Sequence, residues 1–205
     1  MSRPTPNARD RILTAANKLF YSEGIRAVSL DNIAAKAGIT KKTVYYHFKS
    51  KDDLVEAYLV SRDQPNLTLY KKWFSEADGG LPDKVAAIFS QIAVSARHPK
   101  WKGCGFLRTA AELANMPGHP AMKVGAAHKK KFETWLTEEF QAVDLEQPEA
   151  LARHIVLLLD GAFSTILVHR DADYAEAAGN AASALVLGAM QKGPVVGKPS
   201  VKSMG

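Results

Sequence analysis

Cysteine is nearly missing from this 205-residue chain, which carries one, Cys104. A single thiol excludes an intramolecular disulfide framework and a cysteine-rich zinc module, and it suits a reducing cytosol. Long hydrophobic runs are also scarce. The most apolar stretch, Ile155 to Val168, is interrupted by Asp160 and falls short of a bilayer span. The opening residues, MSRPTPNARDR, lack the apolar centre of a signal peptide. These absences predict a soluble, cytoplasmic protein with no membrane partner. No segment alternates apolar and polar residues for long, and no internal repeat is found, so strands and solenoids are not expected. Neither a P-loop nor a Gly-x-Gly-x-x-Gly pattern occurs, and none of the six histidines forms an i, i+4 metal pair. No cofactor, metal or catalytic residue is therefore expected, and an enzyme is the weaker reading.

What is present is an uneven distribution of charge. Residues 1–51 hold ten basic side chains against three acidic ones, a balance of +7 within a net charge of +6. The remaining 154 residues sum to −1. A basic N-terminal part joined to a near-neutral remainder points to a polyanion partner for the first part only. Charge alone leaves nucleic acid, acidic membrane and acidic protein open.

Helical spacing runs through the chain. Ile12, Leu13, Ala16, Leu19 and Phe20 mark a first helix, stopped by Gly24 at a position where positive φ suits glycine. Ser29 precedes a short second helix with Leu30, Ile33, Ala34 and Ala37; Asn32 stands where a full capping box has Glu or Gln, so that signal is partial. Gly38 ends it, and Thr40 caps a third helix from Lys41 to about Phe48. Two short helices around a glycine form a helix-turn-helix pattern. A fourth helix starts at Lys51 with Asp52 and Asp53 in its first turn, and Pro65 is expected to end or kink it. Later segments near 82–92, 106–113, 121–142, 149–170 and 174–190 complete about nine helices. The expected fold is all-α: a three-helix helix-turn-helix module over 1–50, a helical bundle over 51–192 and a disordered tail over 193–205.

The stretch from Ser29 to Leu54, SLDNIAAKAGITKKTVYYHFKSKDDL, with RDRILTAANKLFYSEGIRAVSL before it, resembles the DNA-binding signature of the TetR family. Weaker likenesses lie at Gly103-Cys104, Ala111–Leu113 and Leu159–Ala162. The resemblance implies a regulator that binds double-stranded operator DNA as a homodimer and is released by a small-molecule effector. A recognition helix presents its N-terminal residues to base edges; here these are Thr40, Lys41, Lys42 and Thr43. Lysine donates to guanine, and threonine offers a hydroxyl and a methyl. Tyr45, His47 and Lys51 match positions that meet phosphates or the groove wall, and Ser29 presents a hydroxyl at a helix N-terminus. Plainer roles stand beside these: Ser29 and Thr40 as caps, Tyr46 and Phe48 as core. The last two helices, apolar nearly all round at Ile155–Val168 and rich in small residues beyond it, are the expected dimer surface.

The resemblance also implies a ligand pocket in the larger half. Phe106, Trp135, Phe163 and Ile166 are candidate walls, with Arg108, His128, Asp160 and His169 as polar anchors. Cys104 lies in a Gly-Cys-Gly loop near Lys100, Lys102 and Arg108; basic neighbours favour a reactive thiolate, which allows a redox- or electrophile-sensing regulator, while a buried inert thiol is the plainer role. An activator, or a helical protein whose basic end binds acidic partners, remains open from sequence alone.

Overall fold

A computed structural model describes residues 6–192, and among them nine helices and no strand are found. They are α1 (Ala8–Glu23), α2 (Leu30–Ala37), α3 (Lys41–His47), α4 (Lys51–Glu76), α5 (Leu81–Ala96), α6 (Gly105–Glu112), α7 (Pro120–Gln141), α8 (Pro148–His169) and α9 (Asp173–Lys192). The expected tail at 193–205 lies outside the described residues. Each early helix starts on a side chain that takes an orphan backbone N–H. Asn7 accepts from Asp10 at 2.9 Å, Thr40 from Thr43 at 3.2 Å and Ser50 from Asp53 at 3.0 Å. At Ser29 the capping box is complete, because Asn32 Oδ1 accepts from the Ser29 backbone N–H at 3.0 Å. Asparagine reaches back as the expected Glu or Gln would.

The apolar spacing closes around one core. Ile12, Ala16 and Phe20 of α1 are buried with Ile33 of α2 and Val44 of α3, and Phe20 meets Tyr58 of α4 edge-on at 5.6 Å. The larger of these side chains, Ile12, Phe20, Ile33 and Val44, each contribute about 1.5–3 kcal/mol on burial. α4 packs on α1, α5 and α7, α7 on α8, and α9 lies across α5 and α8. Two features depart from the sequence reading. Pro65 does not end α4, which continues through it for 26 residues, and the proline is exposed. And α8 is 22 residues long, apolar enough by length and composition to cross a bilayer. The helix adds two turns, 148–154, ahead of the apolar stretch Ile155–Val168. Fewer than half of the residues in its apolar stretch are buried, and the helix packs against α7 and α9.

Candidate nucleic-acid interface and the cavity behind it

The turn between α2 and α3 is fixed by two residues. Gly38 adopts the left-handed conformation (φ 64°, ψ 43°), and its N–H bonds back into α2. A Cβ there would also stand 3.0 Å from the Arg11 guanidinium. Arg11 donates from Nη2 to the carbonyls of Ala37 (2.6 Å) and Gly38 (2.9 Å), closing the C-terminus of α2. Nothing in the local spacing announced Arg11, which acts across 26 residues of sequence.

On α3, Val44 is the buried anchor, so the face opposite it is offered outward. Lys41, Lys42 and Tyr45 are exposed, while Thr43 and His47 are half-buried. Tyr46 is 84% exposed, not core; Phe48 is buried as expected. The reason is helical phase, since Phe48 lies four residues from Val44 and shares its side, whereas Tyr46 lies two away. The Tyr46 ring stands edge-on to His47 at 5.1 Å. Lys41 Nζ pairs with Asp31 Oδ2 at 2.8 Å, and that hydrogen bond and charge raise its pKa above the ordinary lysine value. Lys42 has no carboxylate partner among the described residues. Thr40 and Thr43 share a hydroxyl hydrogen bond of 2.8 Å. Ser29 holds the exposed start of α2. Lys51 opens α4 half-buried, and desolvation lowers its pKa against the opposing charges of Glu112 and Asp52. The arrangement brings cationic and hydroxyl groups to one exposed short helix.

Behind this module lies a cavity of about 170 Å³ bounded by α4, α5, α6 and α8. Its inner walls are Tyr58, Tyr70, Phe106 and Phe163, with Cys104 beside them. Of the residues expected to line a pocket, the structure brings Phe106 and Phe163 together here. It does not bring the others. Arg108 donates to the Tyr21 carbonyl at 2.7 Å; Trp135 packs against Phe74 and Phe132, with its indole N–H on Glu139. Asp160 pairs with Lys129, and His169 is exposed and stacked on Tyr174. Ile166 is buried core beside a separate surface hollow. His128 stands one layer behind Phe106 and hydrogen-bonds Asp63 at 2.8 Å. Sequence spacing missed Tyr58, Tyr70 and Arg62, all on α4, because α4 reads as a linker helix rather than a wall.

The wall connects to the DNA-facing module through α6. Arg108 holds Tyr21, and Glu112 Oε2 accepts from the Arg26 N–H at 2.9 Å. The Lys102 N–H donates to Tyr21 Oη at 2.9 Å, and Asn17 donates to Ser61 Oγ at 3.0 Å.

Comparison with known proteins bears on this geometry. Residues 12–58 match the family model for bacterial regulatory proteins of the tetR family. The structure of SCO4454, a TetR-family transcriptional regulator from Streptomyces coelicolor, is 32% identical, with 90% of this chain and 95% of that one covered and a TM-score of 0.72. The chain belongs to the TetR family. A TetR regulator from Legionella pneumophila shares the fold at a TM-score of 0.73 and 21% identity, over 89% of this chain and 98% of that one. The regulator SrpR of Pseudomonas putida is 44% identical over 57 residues, 28% of this chain and 27% of its own. Matches to this and other curated relatives span 27% to 44% of those relatives' own lengths. This TetR-family chain is thus a DNA-binding transcriptional regulator, and its relatives are regulators rather than enzymes.

Proposed function

We propose that this regulator is a ligand-responsive repressor that binds a palindromic operator as a homodimer and is released when a small molecule enters the cavity. The DNA module would comprise residues 1–50 and the ligand-binding and dimerisation part 51–192, in a cytoplasmic protein. The observation that carries the reading is that one short helix, α6, has Phe106 on the cavity, Arg108 on the last turn of α1 and Glu112 on the α1–α2 connection. A ligand that displaces Phe106 therefore acts on an element in direct contact with the DNA module, which gives operator and ligand a shared two-state element to bias in opposite directions. Ser29, Thr40, Lys41, Lys42, Thr43, Tyr45, His47 and Lys51 are assigned to the DNA contact, and Tyr46 joins them on the strength of its exposure. The unburied apolar side chains of α8 and α9 support the dimer.

Selection of operators from a random duplex library tests the reading. An enriched palindrome with half-sites about 34–36 Å apart is expected. Enrichment of a single asymmetric site, or none at moderate salt, would overturn it.

A further inference from the structure

The chemistry of the cavity is lopsided. Among its lining residues no Asp, Glu or Lys occurs, and Arg62 is the one charged side chain. Arg62 is exposed at the rim, and no described carboxylate pairs with it; its contact is Asn66 Oδ1 at 3.4 Å. Deeper in, Tyr58 and Tyr70 are largely buried, and their hydroxyls make no hydrogen bond to a described residue. No buried polar side-chain atom among the described residues lacks a partner, so these two hydroxyls keep access to open space, where each can donate to an incoming group. Burial pushes the Tyr58 phenol up to about 12 and raises Tyr70 as well, so both remain O–H donors at neutral pH. The Arg62 charge is felt at both hydroxyls. Much of the rest of the wall is aromatic or aliphatic, and Trp101 and Phe163 lie within 19° of parallel.

Donors without acceptors, one unpaired cation and flat apolar walls select an acceptor-rich planar molecule. A volume near 170 Å³, partly open to solvent, accommodates a single ring, since an enclosed apolar cavity of about 150 Å³ holds benzene. We infer that the cavity takes a monocyclic aromatic acid, a benzoate-class carboxylate, with its anionic oxygens toward Tyr58, Tyr70 and Arg62 and its ring against Phe106 and Phe163. Aromatic walls also attract organic cations, but here a cation would face Arg62 with no carboxylate to offset it. The assignment rests on the reading of this cavity as the effector site.

Calorimetric titration of the full-length protein with benzoate, benzamide and benzyltrimethylammonium tests it, on wild type and Arg62→Gln. Expected is saturable benzoate binding, with benzamide at least about tenfold weaker and the ammonium ion weaker still. Arg62→Gln, a substitution at an exposed site, should weaken benzoate about tenfold or more while leaving benzamide within about twofold. Equal or tighter binding of benzamide or the ammonium ion, benzoate affinity unmoved by Arg62→Gln, or no binding of any of the three overturns the ligand class. Operator release is read separately. Arg62-dependent benzoate binding that leaves the operator complex intact supports the ligand class and overturns the effector reading; a non-anionic ligand that fills the cavity and frees the operator does the reverse.

Discussion

Phe106 and His128 lie face to face, their ring centroids 3.8 Å apart and their planes within 8° of parallel. The stack joins the cavity wall on α6 to α7, and the His128 Nδ1–Asp63 Oδ1 contact of 2.8 Å carries the connection on to α4. Lys131 donates to the other Asp63 oxygen. A ring clamped this way has one protonation state that fits. Burial lowers the His128 pKa below its ordinary 6.5, outweighing the hydrogen bond from its side to Asp63, so the neutral imidazole is held. Burial pushes the Asp63 carboxyl up, but hydrogen bonds from Lys131 and His128 outweigh it and the net shift is downward.

Stability should therefore fall with acid in two stages. Below pH 6.5 the unfolded chain takes up a proton on His128 that the folded chain resists, so stability present above that value declines as pH drops toward the depressed folded pKa. Asp63 contributes above its ordinary 3.8 and its share is lost as pH falls through its lowered folded value. Melting temperatures from pH 8 to 3 should show the first decline in wild type and lose it in His128→Gln, which also sits about 1–3 kcal/mol lower at neutral pH. Parallel curves for the two proteins would refute the buried-neutral histidine.

On the recognition helix, exposure separates folding from binding. Tyr46→Ala should leave stability within about 0.5 kcal/mol and weaken operator binding. Lys42→Ala should lose about 1–3 kcal/mol of discrimination at particular base pairs. Lys51→Ala should instead weaken every duplex and reduce the salt slope by about 0.9. Competition binding on operator variants across a salt series distinguishes these outcomes; a destabilised Tyr46→Ala would return that ring to the core.

Much of this arrangement is readable in the chain because it is local. Asn7, Thr40 and Ser50 cap helices within three residues of themselves, and Gly24 and Gly38 stop them. The helix-turn-helix and the family resemblance both rest on such short spacings. What escaped the sequence is set by distant contacts. Arg11 reaches Ala37 and Gly38, Arg108 reaches Tyr21, and Asp63 meets His128 and Lys131, each across at least 26 positions. No periodicity records which helix turns toward which. The candidate pocket residues are likewise placed by distant contacts: Phe106 and Phe163 line one cavity, while Arg108, His128 and Asp160 are engaged with partners on other helices. Tyr46 is the converse case, where the helical phase set by Val44 was present in the sequence and outweighs aromatic character.

Arg108 and Glu112 should couple cavity to DNA module without building either. Arg108 is half-buried on the Tyr21 carbonyl, and Glu112 holds the Arg26 N–H beside Gly24. Removing either leaves a backbone group near solvent, a loss of about 1 kcal/mol. Operator affinity of ligand-free Arg108→Ala and Glu112→Ala should stay within about threefold of wild type, equivalent to less than 1 kcal/mol. The shift in operator affinity caused by a cavity ligand should shrink, because the coupling free energy passes through this contact. Titrating operator with and without ligand reads both quantities. A full ligand response in both variants would assign the coupling to α4 alone.

The unburied side of α8 gives the last test. Leu157 is 64% and Val168 75% exposed, two turns or more apart on a helix already packed on its other side. On α9, Leu185, Leu187 and Met190 are exposed as well. Apolar side chains of this size each contribute about 1.5–3 kcal/mol when covered, and a two-fold interface counts every contact twice. Leu157→Asp should therefore cost the single chain little, since the position is open to water, while placing a charge in each half of the interface. Sedimentation should show a monomer with unchanged helical circular dichroism, and affinity for a full palindrome should fall toward that for one half-site. A Leu157→Asp protein that remains dimeric would move the interface away from this face of α8.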